Sequence, residues 1–364
     1  MRWLVFILAG AVAATGCGGG DPWGIAGGGD EPVLIEIAGD QLHPALGGRT
    51  LAWFDLEGDP DGSCFVPSYD PEGDYDTTCD GVVRTLDLST GRVRTVSDVT
   101  GHEAMPAVTD GLVAWRCNRD GGQGMCVSPV DRHEVRFHPG LGTYSHSWQD
   151  FATRPAVAGG HVVWAAYRSD SYNPVYRISR ADLRTGAEEV VTYLERFPSW
   201  VACSEERIAW ISQFWDTQQH NRLEVLDPDS GEQTVLVDSP DASLFGLAMD
   251  GDLIAWKQAE HVDGEPEVQV RYQRAGGPIR RASGSEARVS SETPVVAAAG
   301  RLVWLDHREG DYRAALFDPR DGTEELVSPS EARIGAYATP ALAEGWIAFS
   351  DMRRGQWDLL VVPR

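Results

Sequence analysis

An aromatic residue recurs along this chain at intervals that leave few folds open. Trp53, Trp115, Trp164, Trp210, Trp256, Trp304 and Phe349 form one column, spaced 62, 49, 46, 46, 48 and 45 residues apart. Apolar, β-favouring positions precede each, as in "LAW", "LVAW", "VVW", "IAW" and "IAF". Proline stands nine residues upstream at Pro44, Pro106, Pro155 and Pro340, and ten upstream at Pro294. Downstream come a polar loop, a second apolar run and a turn: "LDLSTG" (86–91), "ADLRTG" (181–186), "LDPDSG" (226–231) or "FDPRDG" (317–322). In such a turn the Asp carboxylate accepts backbone amides and Gly supplies the positive φ. Another short β-rich segment ends the unit. Each unit therefore reads as four short antiparallel strands. Four-stranded units repeating in the mid-forties are blades of a β-propeller. A helical solenoid of that period needs sustained i, i+3, i+4 apolar patterns, and none follows residue 17.

The expected fold is all-β: a propeller of four-stranded antiparallel blades over residues 32–364, as one domain. The column gives seven blades. A six-bladed ring with one degenerate repeat appended is the alternative. The last unit ends at "WDLLVVPR" (357–364) and lacks a fourth strand, whereas "PVLIEIAG" (32–39) has no local partner. That N-terminal strand is expected to close the ring, which removes an exposed edge.

"PVVAAAGRLVWLDHREGDYRAALFDPRDG" (294–322) and "PALAEGWIAFSDMRRGQWDLLVV" (340–362) resemble TolB-like β-propeller repeats of bacterial and archaeal surface proteins. The resemblance covers about 32–364 through structural motifs. It implies the fold, and either an envelope interaction scaffold or the propeller of a serine peptidase; fold alone does not fix function.

"MRWLVFILAGAVAATGC" (1–17) has one charge at Arg2, an apolar run too short to span a bilayer, then small residues and a cysteine. It reads as a lipoprotein signal peptide and lipobox, with Cys17 as the lipid site. Gly18 after it points to the outer membrane. Residues 18–31, rich in glycine, read as a flexible tether. The expected location is therefore the envelope, periplasmic or surface-facing. A net charge of −24 argues against nucleic acid or an anionic bilayer surface as partner. Arginine supplies every basic side chain but one, Lys257.

In an exported chain, Cys64 with Cys79 and Cys117 with Cys126 are candidate disulfides. Cys203 is left over and reads as a buried small apolar residue. Asp306 with Arg308 and Asp351 with Arg353 recur at the same place in two blades, which argues for a structural role.

In this topology the connections between a blade's second and third strands share a face with those leading to the next blade. Two long insertions fall there, 56–81 and 136–154, and long loops in a compact repeat usually carry function. The first holds Asp70, Glu72, Asp74 and Asp76, oxygen donors of the kind calcium takes; the competing reading is a solvated acidic loop. The second holds His138, Tyr144, His146, Trp148 and Asp150. Trp200 and Trp215 are expected on nearby connections. Aromatics flanked by polar groups suit an envelope protein, a peptide or a glycan; the competing reading is a packed plug. No GxSxG, HExxH or phosphate-cradling loop occurs. The functional expectation is a non-catalytic, lipid-anchored scaffold without a cofactor. The alternative is a carbohydrate-active or peptide hydrolase using carboxylates on the loop face.

Overall fold

The computed structural model describes residues 31–35, 40–56, 81–97, 104–109, 111–119, 122–139, 155–168, 175–213, 221–262, 265–335, 338–353 and 357–364. These form seven four-stranded antiparallel sheets, so the propeller has seven blades and the six-bladed alternative falls. The chain opens with β1 (Val33–Ile35). Blade 1 is β2 (Asp40–Gly47), β3 (Thr50–Leu56), β4 (Val82–Asp87) and β5 (Arg92–Thr95). Blade 2 is β6 (Ala104–Thr109), β7 (Leu112–Arg119), β8 (Gly122–Pro129) and β9 (Arg136–Pro139). Blade 3 is β10 (Ala156–Ala158), β11 (His161–Arg168), β12 (Val175–Asp182) and β13 (Glu188–Leu194). Blade 4 is β14 (Phe197–Cys203), β15 (Ile208–Gln213), β16 (Asn221–Leu226) and β17 (Gln233–Ser239). Blade 5 is β18 (Ser243–Asp250), β19 (Leu253–Val262), β20 (Glu265–Arg274) and β21 (Arg280–Arg281). Blade 6 is β22 (Val296–Ala298), β23 (Arg301–Asp306), β24 (Arg313–Asp318) and β25 (Thr323–Leu326). Blade 7 is β26 (Ala341–Ala343), β27 (Trp346–Asp351) and β28 (Asp358–Pro363), completed by β1.

The aromatic column explains the ring. All six tryptophans and Phe349 are fully buried. Each occupies the second strand of its blade and packs against the blade before it. Trp304 lies with Val270 and Tyr272 of blade 5, Trp256 with Ile211 and Leu223 of blade 4, and Trp53 with Leu359 and Val361 of blade 7. The core is thus seven seams rather than one centre. Both faces of a blade's middle strands are covered, so runs such as Leu51–Leu56 are buried throughout instead of alternating.

Closure follows the expected route. β1 pairs antiparallel with β28 through Val33 with Val361, Leu34 with Leu360 and Ile35 with Leu359. Ile35 is fully buried in the seam that holds Trp53. β1 enters, and β28 leaves, on the face formed by the tight turns.

The Asp-Gly turns behave as their sequence requires. Asp87 Oδ1 accepts the Ser89 amide at 2.8 Å, and Gly91 takes φ 68°. The repeated Asp–Arg pairs are structural. Asp306 Oδ2 accepts from Arg308 Nη2 at 2.6 Å, and its Oδ1 accepts the amides of Arg308 and Arg288. Burial raises the Asp306 carboxyl, but these hydrogen bonds and the Arg308 charge outweigh it and hold the group below the ordinary value. Asp351 repeats the pattern with Arg353 and the Arg333 amide. Each carboxylate ties a second strand to the connection arriving from the preceding blade.

Cys117 and Cys126 form the expected disulfide, joining β7 to β8. Cys203 is buried as a free thiol, and burial pushes it up to about 12, which disfavours the thiolate. Cys64 and Cys79 lie outside the described residues, as do the signal, Cys17 and the tether up to residue 30.

Candidate functional site: the central cavity and its loop face

The innermost strands of the seven blades surround a cavity of about 740 Å³ on the propeller axis. Its middle is walled by small apolar side chains, among them Ala107, Val157, Val201 and Val296. Where these strands end in turns, Glu205, Glu206, Asp250 and Asp252 reach it. At the opposite end, on the loop face, the wall includes His43, Ser199, Glu292 and Thr339. The described lining holds carboxylates and one histidine, and neither lysine nor arginine.

His43 is a backbone outlier there, with φ 52° in a bulge of β2 between Leu42 and Ala45. Blade 5 has the same bulge between Phe245 and Ala248, and fills the corresponding position with Gly246 at φ 63°. Histidine is among the few non-glycine residues that tolerate this region.

Two of the residues expected on loops sit in strands. His138 belongs to β9 and is buried, its ring 6.3 Å from that of Trp164 in the seam between blades 2 and 3. Its imidazole is 5% exposed and packs in that seam. Trp200 is not on a connection but in β14, 8% exposed, with its indole in the seam between blades 4 and 5 and an edge on the cavity wall. Tyr144, His146, Trp148, Asp150 and Trp215 lie outside the described residues, as do Asp70, Glu72, Asp74 and Asp76. Among the described residues no three His, Cys, Asp or Glu side chains come together in a way that could hold a metal ion.

His138 gives a pH prediction. Burial, and secondarily the Arg136 charge, hold its imidazole below the ordinary 6.5. The unfolded chain therefore takes up the proton first as pH falls. Stability is complete above about pH 6.5 and declines below it. His138→Phe is expected to flatten this decline. Denaturation midpoints of both proteins at pH 7.5 and 5.5 check it; equal losses would show that His138 does not contribute.

No family model matches the chain, and no curated protein matches it, so the TolB-like resemblance rests on the quoted residues alone. Solved structures do match. An oligogalacturonate lyase in complex with manganese superposes with a TM-score of 0.60 at 13% identity, covering 91% of this chain and 90% of its own. The likeness is one of fold. A second oligogalacturonate lyase, from Vibrio parahaemolyticus, gives 0.61 at 9% identity and 92% of both chains. Puromycin hydrolase gives 0.60 at 11% identity over 89% of this chain. This chain spans about half that hydrolase's length, 52%.

The cavity and Lys257 were not reached by sequence reasoning. Lys257, one residue after a column tryptophan, was visible as the chain's single lysine. Its complete burial was not.

Proposed function

We propose that this chain is a carbohydrate-active propeller of the cell envelope, held by a lipid on Cys17 and working where the central cavity opens onto the loop face. The observation that carries this reading is the axial cavity, in a propeller that matches oligogalacturonate lyases over about nine-tenths of both chains. The peptidase form of the reading has less support, because the match covers about half of such a chain.

Electrostatics narrows the substrate. An acidic lining on a chain of net charge −24 repels a polyuronate, so the favoured substrate is a neutral or amino-sugar oligomer. The manganese of the lyase neighbour has no counterpart among the described residues.

A non-catalytic scaffold for an envelope protein, peptide or glycan is the second reading. It is favoured by hydrogen bonds that already occupy two of the wall's carboxylates. Asp250 Oδ2 accepts the Gly300 amide at 2.6 Å, and Glu292 Oε1 accepts from Ser291 Oγ at 2.7 Å.

The test uses the full chain with neutral, amino-sugar and uronate oligosaccharides, and short peptides, with and without a chelator. Binding is read by calorimetry and turnover by new chain ends. Neutral or amino-sugar oligomers are expected to bind and be cleaved, while uronates do neither. Binding without turnover moves the assignment to the scaffold, and preferential uronate binding sinks the electrostatic argument. In the same preparation Cys17→Ser is expected to leave the membrane fraction; retention there rejects the anchor.

A further inference from the structure

One register of the cavity wall is unlike the rest. Ten residues before the column aromatic, blades 1, 4, 5, 6 and 7 carry His43, Trp200, Gly246, Pro294 and Thr339. All but Gly246 line the cavity. Deeper along the same strands the wall is small and apolar, as at Ala107, Val157, Val201 and Val296. The column aromatic, which packs blade on blade, is tryptophan in six blades of seven. This register holds five different residues in five blades. Packing seven like blades does not call for that variety; contact with an unsymmetrical molecule in the cavity does.

His43 stands there against two conformational preferences. A residue with a Cβ disfavours positive φ, and a residue before proline is pushed toward extended backbone. His43 precedes Pro44, yet takes φ 52°. The bulge imposes this. His43 and Pro44 together oppose Trp53, because the register steps from Leu42 with Phe54 to Ala45 with Ala52. Gly246 and Leu247 oppose Trp256 in the same way, and glycine takes φ 63° there without a Cβ penalty. Glycine would therefore serve blade 1 as backbone. It would not supply an imidazole to the cavity. Residues held in such conformations cluster at ligand and active sites, where bulges also re-aim side chains.

Ring order gives His43 its neighbours. Thr339, at the start of blade 7, stands on the adjoining blade, and Glu292 arrives one blade further on, before blade 6. Ser199 and Trp200 of blade 4 face this arc across the axis. Thr339 is 5% exposed and Trp200 8%, so the fold fixes both. Imidazole, hydroxyl and carboxylate together both donate and accept, as the hydroxyls of a sugar ring require. Among the described lining His43 carries the only imidazole.

We propose that His43 is a ligand-contact residue: its imidazole hydrogen-bonds a sugar hydroxyl at the cavity mouth and sets which oligomer is held. This assignment rests on the carbohydrate reading above, and it makes His43 a binding contact rather than a support of the fold.

The test compares the parent with His43→Gly, both as full chains. Melting is followed by scanning calorimetry, and binding of cellotetraose and of a glucosamine tetramer by titration calorimetry. Glycine removes the backbone conflict, so His43→Gly is expected to melt at or above the parent temperature. Its affinity is expected to fall about tenfold, as for one lost hydrogen bond. In protein labelled at its nine histidine rings, the NMR signal missing from His43→Gly identifies His43. That signal is expected to shift in the parent when the bound sugar is added. Unchanged affinity in His43→Gly overturns the proposal while leaving the carbohydrate reading in place, as does a His43 signal that ignores the sugar. A lower melting temperature in His43→Gly also overturns it, because the imidazole then supports the fold. A parent that binds neither tetramer removes the carbohydrate reading itself, and this assignment with it.

Discussion

Truncating Trp164 to alanine is expected to cost about 3–5 kcal/mol, as for other fully buried large aromatics. Trp164 fills the seam between blades 2 and 3 with Ala114, Met125, Val127, Ala181 and Leu183. Most of these are short or rigidly held in strands, so the hole cannot collapse. The His138 ring also loses its neighbour. Because each seam is one link of a closed ring, damage to one loosens both adjoining blades. The check is a denaturant series beside Tyr193→Ala, a side chain 68% exposed on β13. Tyr193→Ala is expected to stay within about 0.5 kcal/mol of the parent, the usual range for surface changes. A Trp164→Ala midpoint equal to that of Tyr193→Ala would show that the column is not what holds the blades together.

Removing Val33–Ile35 is the second large effect. Ile35 is fully buried beside Trp53, Leu359 and Val361, and its loss alone removes about 1.5–3 kcal/mol of apolar burial. The larger consequence is topological. β28 would be left with free amides and carbonyls along the edge that β1 now pairs. Such an edge templates pairing with another chain. Expected results are a lower melting temperature and concentration-dependent association, measured by calorimetry and light scattering. A monomer that melts like the parent would mean that the ring does not need this strand.

The fold was legible because a propeller writes its own period. Every blade must place one large aromatic at the same point of its second strand, so seams surface in the sequence as a column. Closure was legible for a complementary reason: "WDLLVV" lacked a neighbour and "PVLIE" had none nearby. The site was less legible. "RFHP" reads as part of the long insertion and Trp200 of "FPSW" as lying on a connection, yet β9 ends on Pro139, and β14 takes Pro198 at a register shift. The burial of Lys257 was not legible either, because a middle strand between two blades has no outward face. The cavity left no local mark at all. The middle of its wall is small apolar residues of the inner strands, and only the ring arrangement turns them into an enclosure.

The way β1 joins the ring also sets the face on which the chain enters it. Val33 pairs near the C-terminal end of β28, so the chain enters on the face of tight turns, opposite the loop face. Anything that holds the chain just before β1 therefore holds that side. A molecule tethered through it would stand with its back to the membrane, and the mouth bordered by His43 and Glu292 would open toward whatever diffuses past.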